Sequence, residues 1–226
     1  MKSASATKIK VCGITRIEDA RAAVACGASY IGLILVPESP RKVNIETAKA
    51  ICSEIKGAAF LVGVFKNSTL EQVRSTVTAL PLDFVQFHGQ ETPDFCAAFS
   101  VPVIKTIEFE HGFEDKEELV NRVNRYKDQV QYFLFDKPKD SQETAWLSRA
   151  VTFLSEISNE LPQYFFAGGL NPDNVRSVLE SITPYAVDVA SGVESEPGIK
   201  DSDQLKLFCL NVNHAMSLRL TGRGNA

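Results

Sequence analysis

The chain has no Cys-x-x-Cys pair. Its five cysteines, Cys12, Cys26, Cys52, Cys96 and Cys209, are odd in number and widely spaced. That excludes zinc and dithiol-redox sites and fits free thiols in a reducing cytoplasm. Lysine and arginine are scattered rather than clustered, so a nucleic-acid surface is not expected. No apolar run approaches the roughly 20 residues of a membrane-spanning helix. The opening MKSASATK lacks the apolar core of a secretory signal. It reads as a disordered lead-in near 1–7, with a frayed tail near 220–226. The first loop, Cys12-Gly-Ile-Thr15, is not a dinucleotide fingerprint. There is no low-complexity segment, no linker and no second domain.

What is present is the balance of an ordinary globular domain: 226 residues, 44% hydrophobic and 23% charged, with net charge −4. An acidic protein can still carry a locally positive pocket for a small anion. Short β-rich runs recur near 8–12, 29–35, 59–65, 83–87, 102–107, 131–136, 163–167 and 185–189. Stretches with helical spacing follow them near 16–26, 45–55, 69–80, 92–99, 114–128, 142–160, 172–182 and 201–218. Thr15 with Glu18, and Ser68 with Glu71, have capping-box spacing. Thr92-Pro93 and Asn171-Pro172 each set a cap residue before a proline. Eight strand–helix units point to one α/β domain over 1–226, a (β/α)₈ TIM barrel, with an open doubly wound sheet as the alternative.

Side chains alternate along a strand, and the outer face of a barrel strand must be apolar to pack on helices. That parity sends Lys10, Cys12, Gln86, His88, Lys105, Asp136 and Asp188 inward. Cys12, His88 and Asp136 fall at or just past strand C-termini, on the rim where barrel active sites assemble. Buried charges are costly unless paired or functional. Lys10, Lys105 and Asp188 therefore either touch substrate or form an internal ion-pair layer, and His88 is either a ligand contact or a structural histidine. Two glycine-bearing loops, Ala167-Gly168-Gly169-Leu170 and Ala190-Ser191-Gly192-Val193, follow the seventh and eighth strands, the usual phosphate site of the fold.

These residues also resemble a known family. The run Lys10-Val-Cys-Gly-Ile-Thr15 resembles the opening signature of the phosphoribosylanthranilate isomerases. So do Ser39-Pro-Arg41-Lys-Val43, Val62-Gly-Val-Phe65, Val85-Gln-Phe-His-Gly89 with Glu91, and Val103-Ile-Lys105. Ala167-Gly-Gly-Leu-Asn-Pro172, Val187-Asp-Val-Ala-Ser-Gly-Val-Glu194 and Pro197-Gly-Ile-Lys-Asp201 are similar to its later motifs. The resemblance implies a barrel enzyme of tryptophan biosynthesis with no cofactor and no metal. It implies an Amadori rearrangement of N-(5-phosphoribosyl)anthranilate to the anilino-deoxyribulose phosphate. Cys12 falls on the family's general base, Asp136 on its general acid and Arg41 on the partner of the anthranilate carboxylate. Lys10, His88 and Asp188 are expected to bind substrate, and Gly168, Gly169, Ser191 and Gly192 its phosphate.

The chemistry asks for such groups. An acid must protonate the ring oxygen, and a carboxyl raised by burial can do so at neutral pH. A base must then take the C2 proton. A free thiol titrates at about 8.5 and needs some lowering, for which Lys10 is the nearest cation. Arg41 in its loop has a surface salt bridge as the competing role. The expected partner is a small phosphosugar alone, with no nucleic acid and no membrane. The expected state is a monomer, with a homodimer as the alternative.

Two features depart from the family pattern. Asp136 is followed by Lys-Pro-Lys-Asp-Ser-Gln-Glu-Thr-Ala-Trp146 where the family has a glycine-rich lid, and Ala190 replaces a serine. The altered lid motivates a second reading, a non-catalytic sugar-phosphate binder. A third is another phosphosugar isomerase or epimerase on the same barrel.

Overall fold

The structure is a computed structural model that describes residues 6–109, 115–138 and 145–222. Eight parallel strands, β1 (Lys8–Cys12), β2 (Tyr30–Ile34), β3 (Phe60–Phe65), β4 (Phe84–Phe87), β5 (Val103–Glu108), β6 (Tyr132–Asp136), β7 (Tyr164–Phe166) and β8 (Ala186–Val189), pair in order, and β8 pairs back onto β1 to close a barrel. Helices α1 (Ile17–Ala25), α2 (Ile45–Glu54), α3 (Leu70–Ala79), α4 (Pro93–Ala97), α5 (Lys116–Tyr126), α6 (Trp146–Glu156), α7 (Val175–Ser181) and α8 (Ser202–Gly222) follow the strands in turn. Each strand lies within one residue of its expected bounds.

Alternation divides the strand side chains into two environments. Ile9, Val11, Ile31, Leu33, Phe133, Phe135, Val187 and Val189 point outward into the main core against the helices. Tyr30, Val62, Val64, Phe84, Ile104, Leu134 and Phe165 fill the barrel. At the amino-terminal end the filling is aromatic. Tyr132 stacks on Tyr185 at 4.6 Å, Tyr30 meets Phe165 edge-on at 5.1 Å, and the Tyr30 and Tyr185 hydroxyls lie 2.9 Å apart. Such ring pairs each add about 0.5–1.5 kcal/mol beyond their burial. Large rings close the bottom, so polar interior residues gather at the carboxyl end.

Local signals held in kind but slipped in detail. Thr92 caps α4 by accepting the Phe95 N–H, with Pro93 at the first helical position. The box expected at Ser68–Glu71 sits one residue later, where Thr69 and Gln72 satisfy each other's backbone. Thr15 forms no box with Glu18. Arg16 occupies the cap position without a side-chain bond, and the Thr15 hydroxyl donates instead to the Gly198 carbonyl. Asn171 accepts the N–H groups of Asp173 and Asn174 and so caps a turn that delays α7 to Val175.

The chain ends differ in part from expectation. Thr7 is ordered, its hydroxyl donating to Pro184 O, and α8 runs on to Gly222. Residues 1–5 and 223–226 of the two expected tails lie outside the described residues. A short 3₁₀ turn (Ser191–Val193) and a hairpin of β9 (Glu194–Glu196) and β10 (Ile199–Lys200), none of them anticipated, lie between β8 and α8.

Lys105 is the clear correction in parity. It points outward, buried, with its ammonium donating to Gly89 O at 2.6 Å and paired with Glu91 at 3.1 Å. Ile104 and Thr106 take the inward face. Both faces of β5 carry apolar residues, so the strand's own pattern did not decide between them. Glu91 also accepts the N–H groups of Asn67 and Gly89, which ties down the loop after β4.

Candidate active site at the carboxyl rim

A cavity of about 580 Å³ opens at the carboxyl ends of the strands. Its wall includes Cys12, Arg41, His88, Asp136, Gly168, Gly169, Asp188 and Ser191. Residues from six strand ends, far apart in the chain, thus meet in one space. Lys10 and Gly192, expected among the substrate contacts, do not line it.

Cys12 ends β1 and is 7% exposed. The facing residue on β2 is Gly32, and a Cβ there would come within 2.7 Å of the Cys12 sulfur. Glycine at 32 is what gives the thiol its room. Beneath it Lys10 is fully buried, paired to Asp188 at 2.8 Å. Burial opposes the Lys10 charge, but Asp188 and Cys12 outweigh it and hold the ammonium above its ordinary range. The Cys12 thiol is pushed up by burial, pulled down by Lys10 and Lys200, and pushed up again by Asp188. The lowering expected from Lys10 is therefore overcome, because burial dominates and the Lys10 charge is already matched by Asp188.

Asp136 ends β6, and its Oδ1 accepts the Lys137 N–H at 2.7 Å. Burial lifts its carboxyl to about 6, against the pull of His88 and with the repulsion of Asp188. His88 Nε2 lies 2.9 Å from Glu108 and 3.8 Å from Asp136 Oδ2. Glu108 was not singled out from the sequence, because it was expected to lie beyond the end of its strand.

Arg41 reaches the cavity wall with its fork already half used. Its Nε and Nη2 donate to the Glu194 carboxylate, the shortest contact being 2.7 Å. The pair is not a surface one: Glu194 is 4% and Arg41 23% exposed. Burial disfavours the Glu194 carboxylate, but Arg41 and Lys200 prevail and keep it below its usual range. Lys200 bonds Glu194 at 2.7 Å and also donates to the carbonyls of Cys12 and Ala190. The β9–β10 hairpin thus locks the Arg41 loop to the end of β1. Glu194 and Lys200 stood inside recognisable motifs, yet nothing in the sequence indicated that they support Arg41.

The two glycine loops line the same cavity as Arg41. Gly168 and Gly169 have φ of +95° and +77°, which favours glycine. A Cβ on Gly168 would come within 2.6 Å of the Trp146 ring. Among the described residues, no acceptor takes the N–H of Gly168, Gly169 or Ser191. Gly192 serves a different purpose: a side chain there would collide with the Leu170 carbonyl, so it lets the two loops touch. The segment expected to form an altered lid falls, over 139–144, outside the described residues. Cys52 and Cys96 are pushed up to about 11 and Cys209 to about 12 by burial, as packing thiols should be.

Residues 9–211 match the family described as N-(5'-phosphoribosyl)anthranilate (PRA) isomerase. The chain belongs to the phosphoribosylanthranilate isomerase family. It is 37% identical over 211 residues to the N-(5'-phosphoribosyl)anthranilate isomerase of Pseudomonas fluorescens, covering 93% of this chain and 98% of that one. It is 38% identical over 208 residues to the enzyme of Streptococcus mutans, covering 91% and 98%. Among solved structures, the Thermotoga maritima phosphoribosyl anthranilate isomerase superimposes with a TM-score of 0.82 at 32% identity, covering 92% of this chain and 99% of that one. A phosphoribosyl anthranilate isomerase in complex with reduced 1-(o-carboxyphenylamino)-1-deoxyribulose 5-phosphate gives 0.79 at 32% identity with the same coverage.

Within the phosphoribosylanthranilate isomerase fold, the described cavity brings together Cys12, Asp136, Arg41, His88, Asp188 and both glycine loops. The ion-pair layer expected inside the barrel forms in part, from Lys10 and Asp188. Lys105 belongs to a separate pair on the outside.

Proposed function

We propose that this chain catalyses the isomerisation of N-(5-phosphoribosyl)anthranilate to 1-(2-carboxyphenylamino)-1-deoxyribulose 5-phosphate, a step of tryptophan biosynthesis. One observation carries the reading: a thiol and a carboxyl raised to about 6 face the same cavity as an arginine and two glycine loops. Protonated Asp136 gives its proton to the ribose ring oxygen. The C1–O bond breaks and the anilino nitrogen lone pair forms an iminium. Cys12 thiolate removes the C2 proton, and the electrons of that bond neutralise the iminium as an enolamine. Protonation at C1 and loss of the C2 hydroxyl proton then leave the ketone.

The thiolate is a minority form in the free protein, since burial favours the thiol. Lys10 and Lys200 oppose that preference, and the iminium formed by the first step adds a positive charge nearby. The substrate carboxylate binds the free side of the Arg41 fork, suited to two-point recognition. The phosphate takes the unclaimed N–H groups of Gly168, Gly169 and Ser191. His88 and Asp188 line the space between. Lys10 acts from below Cys12.

The five cysteines are unbridged, which fits a reducing cytoplasm. No helix among the described residues is long and apolar enough to cross a membrane. The working assembly is a monomer, with a homodimer as the alternative that sedimentation would reveal. The test of activity is loss of substrate fluorescence when purified protein meets phosphoribosylanthranilate. Turnover is the expected result, and binding without turnover would favour the sugar-phosphate-binder reading. Comparable turnover of a phosphosugar without anthranilate would favour the broader isomerase.

A further inference from the structure

Strand β3 brings one more cation to the cavity. Val62 and Val64 fill the barrel and Phe65 packs outside it, so alternation turns Lys66 inward, and it lines the cavity wall. Asn67, at φ +52°, turns the chain just beyond. Its N–H donates to Glu91 and its Oδ1 accepts the Gln90 N–H, which pins the backbone beside Lys66 to the loop after β4. Lys66 itself is partly exposed, and among the described residues no acceptor or counter-ion holds its ammonium. An unpaired cation in a concave site favours an anionic occupant. Phosphoribosylanthranilate offers two anions, a phosphate and a carboxylate. In the closed ring β3 stands four places from β7 and three from β8, the strands whose loops are assigned to the phosphate. It stands beside β2, where Ile34 pairs with Val64 and the Leu35 N–H donates to Val64 O. The loop bearing Arg41 folds back onto the same strand end, with Lys42 bridging Ile34. Ile34, Val36, Pro40 and Val64 make this part of the wall apolar, as a benzene ring requires.

We propose that Lys66 is a substrate-binding residue whose ammonium pairs with the anthranilate carboxylate alongside Arg41. The inference rests on the isomerase reading and adds a contact to it. Arg41 already gives Nε and Nη2 to Glu194. A carboxylate has about four acceptor sites, so the remaining edge of one arginine leaves room for a second donor. Lys66 makes the aromatic end of the site selective for charge as well as for shape.

The experiment is Lys66→Met, which keeps most of the length and loses the charge. On phosphoribosylanthranilate its KM should rise about 10-fold, with kcat changing far less. On N-(5-phosphoribosyl)aniline, which lacks the carboxylate, variant and wild type should have the same KM. Lys66→Arg should recover most of the loss. Calorimetry with the unreactive reduced 1-(o-carboxyphenylamino)-1-deoxyribulose 5-phosphate, and with its counterpart lacking the carboxyl group, should show the same pattern in affinity. Thermal unfolding without ligand should be unchanged, because Lys66 has no partner to lose. An unchanged KM and affinity in the methionine variant would overturn the assignment. So would equal losses with and without the carboxylate, for then Lys66 serves the phosphate, or a melting point several degrees lower, for then it is structural. If wild type binds the reduced compound but does not turn over phosphoribosylanthranilate, the isomerase reading fails alone, and calorimetry decides the role of Lys66. If wild type does not bind the reduced compound, both fail.

Discussion

Asp136→Asn should cost activity and strengthen the fold, and the gain should depend on pH. The Asp136 carboxyl rises from its ordinary 3.8 to about 6, chiefly through burial. One pKa unit is worth about 1.4 kcal/mol, so keeping this group charged costs the folded state about 3 kcal/mol well above pH 6. The sign follows from proton uptake. Between about pH 6 and 3.8 the folded chain holds a proton there that the unfolded chain lacks. Wild-type stability therefore gains as pH falls through 6, and the gain is complete below 3.8. Asparagine has no charge to keep, and its oxygen can still accept the Lys137 N–H. The variant should thus exceed wild type by up to about 3 kcal/mol near pH 8, with the gap closing near pH 4. Turnover should drop by at least about 10²-fold, since an amide cannot protonate the ring oxygen. Urea unfolding followed by the fluorescence of the sole tryptophan, Trp146, reads the first effect, and substrate fluorescence reads the second. Near-full turnover, or a stability gap that ignores pH, would refute the assignment.

Cys12→Ala should leave a folded protein with turnover reduced by at least about 10²-fold. In wild type, the active form pairs a protonated Asp136 with a Cys12 thiolate, so kcat/KM should fall below a limb near 6 and above a limb at the raised thiol. An acid limb near 4 would contradict this. Gly32→Ala should disturb the thiol directly, because the new methyl would lie 2.7 Å from the sulfur and 3.1 Å from the Cys12 backbone. A displacement of that kind can cost about 10²-fold in rate while over-packing costs about 1–3 kcal/mol, and urea melts beside kinetics separate the two. Glu194→Gln should loosen Arg41 and Lys200 together, raising KM at least several-fold with a smaller change in kcat; an unchanged KM would dissociate the pair from substrate binding.

The barrel was legible because its signals are local. Eight β-rich runs appear in the sequence, and each stands within a residue of its place in the structure. The outward Phe133, Phe135, Val187 and Val189 fixed the parity of two strands and so turned Asp136 and Asp188 inward. Cys12, Asp136 and the glycine loops could be located at the rim because a strand end is where a parallel strand stops being buried. In strand β5 alternation does not separate the two faces. Val103, Lys105 and Ile107 alternate with Ile104, Thr106 and Glu108, so either face could have been the inner one. Glu91 and the Phe87 and Gly89 carbonyls wait outside for Lys105, and they decided it.

What the order of residues determined alone, then, was the run of strands and helices, and for most strands the side each residue takes. Which charges meet was settled only by closure of the barrel. Glu194 holds Arg41 from 153 positions away, and Asp188 holds Lys10 from 178. Such pairings depend on distance in space and on water being excluded, and neither quantity is written in the spacing of residues along a chain.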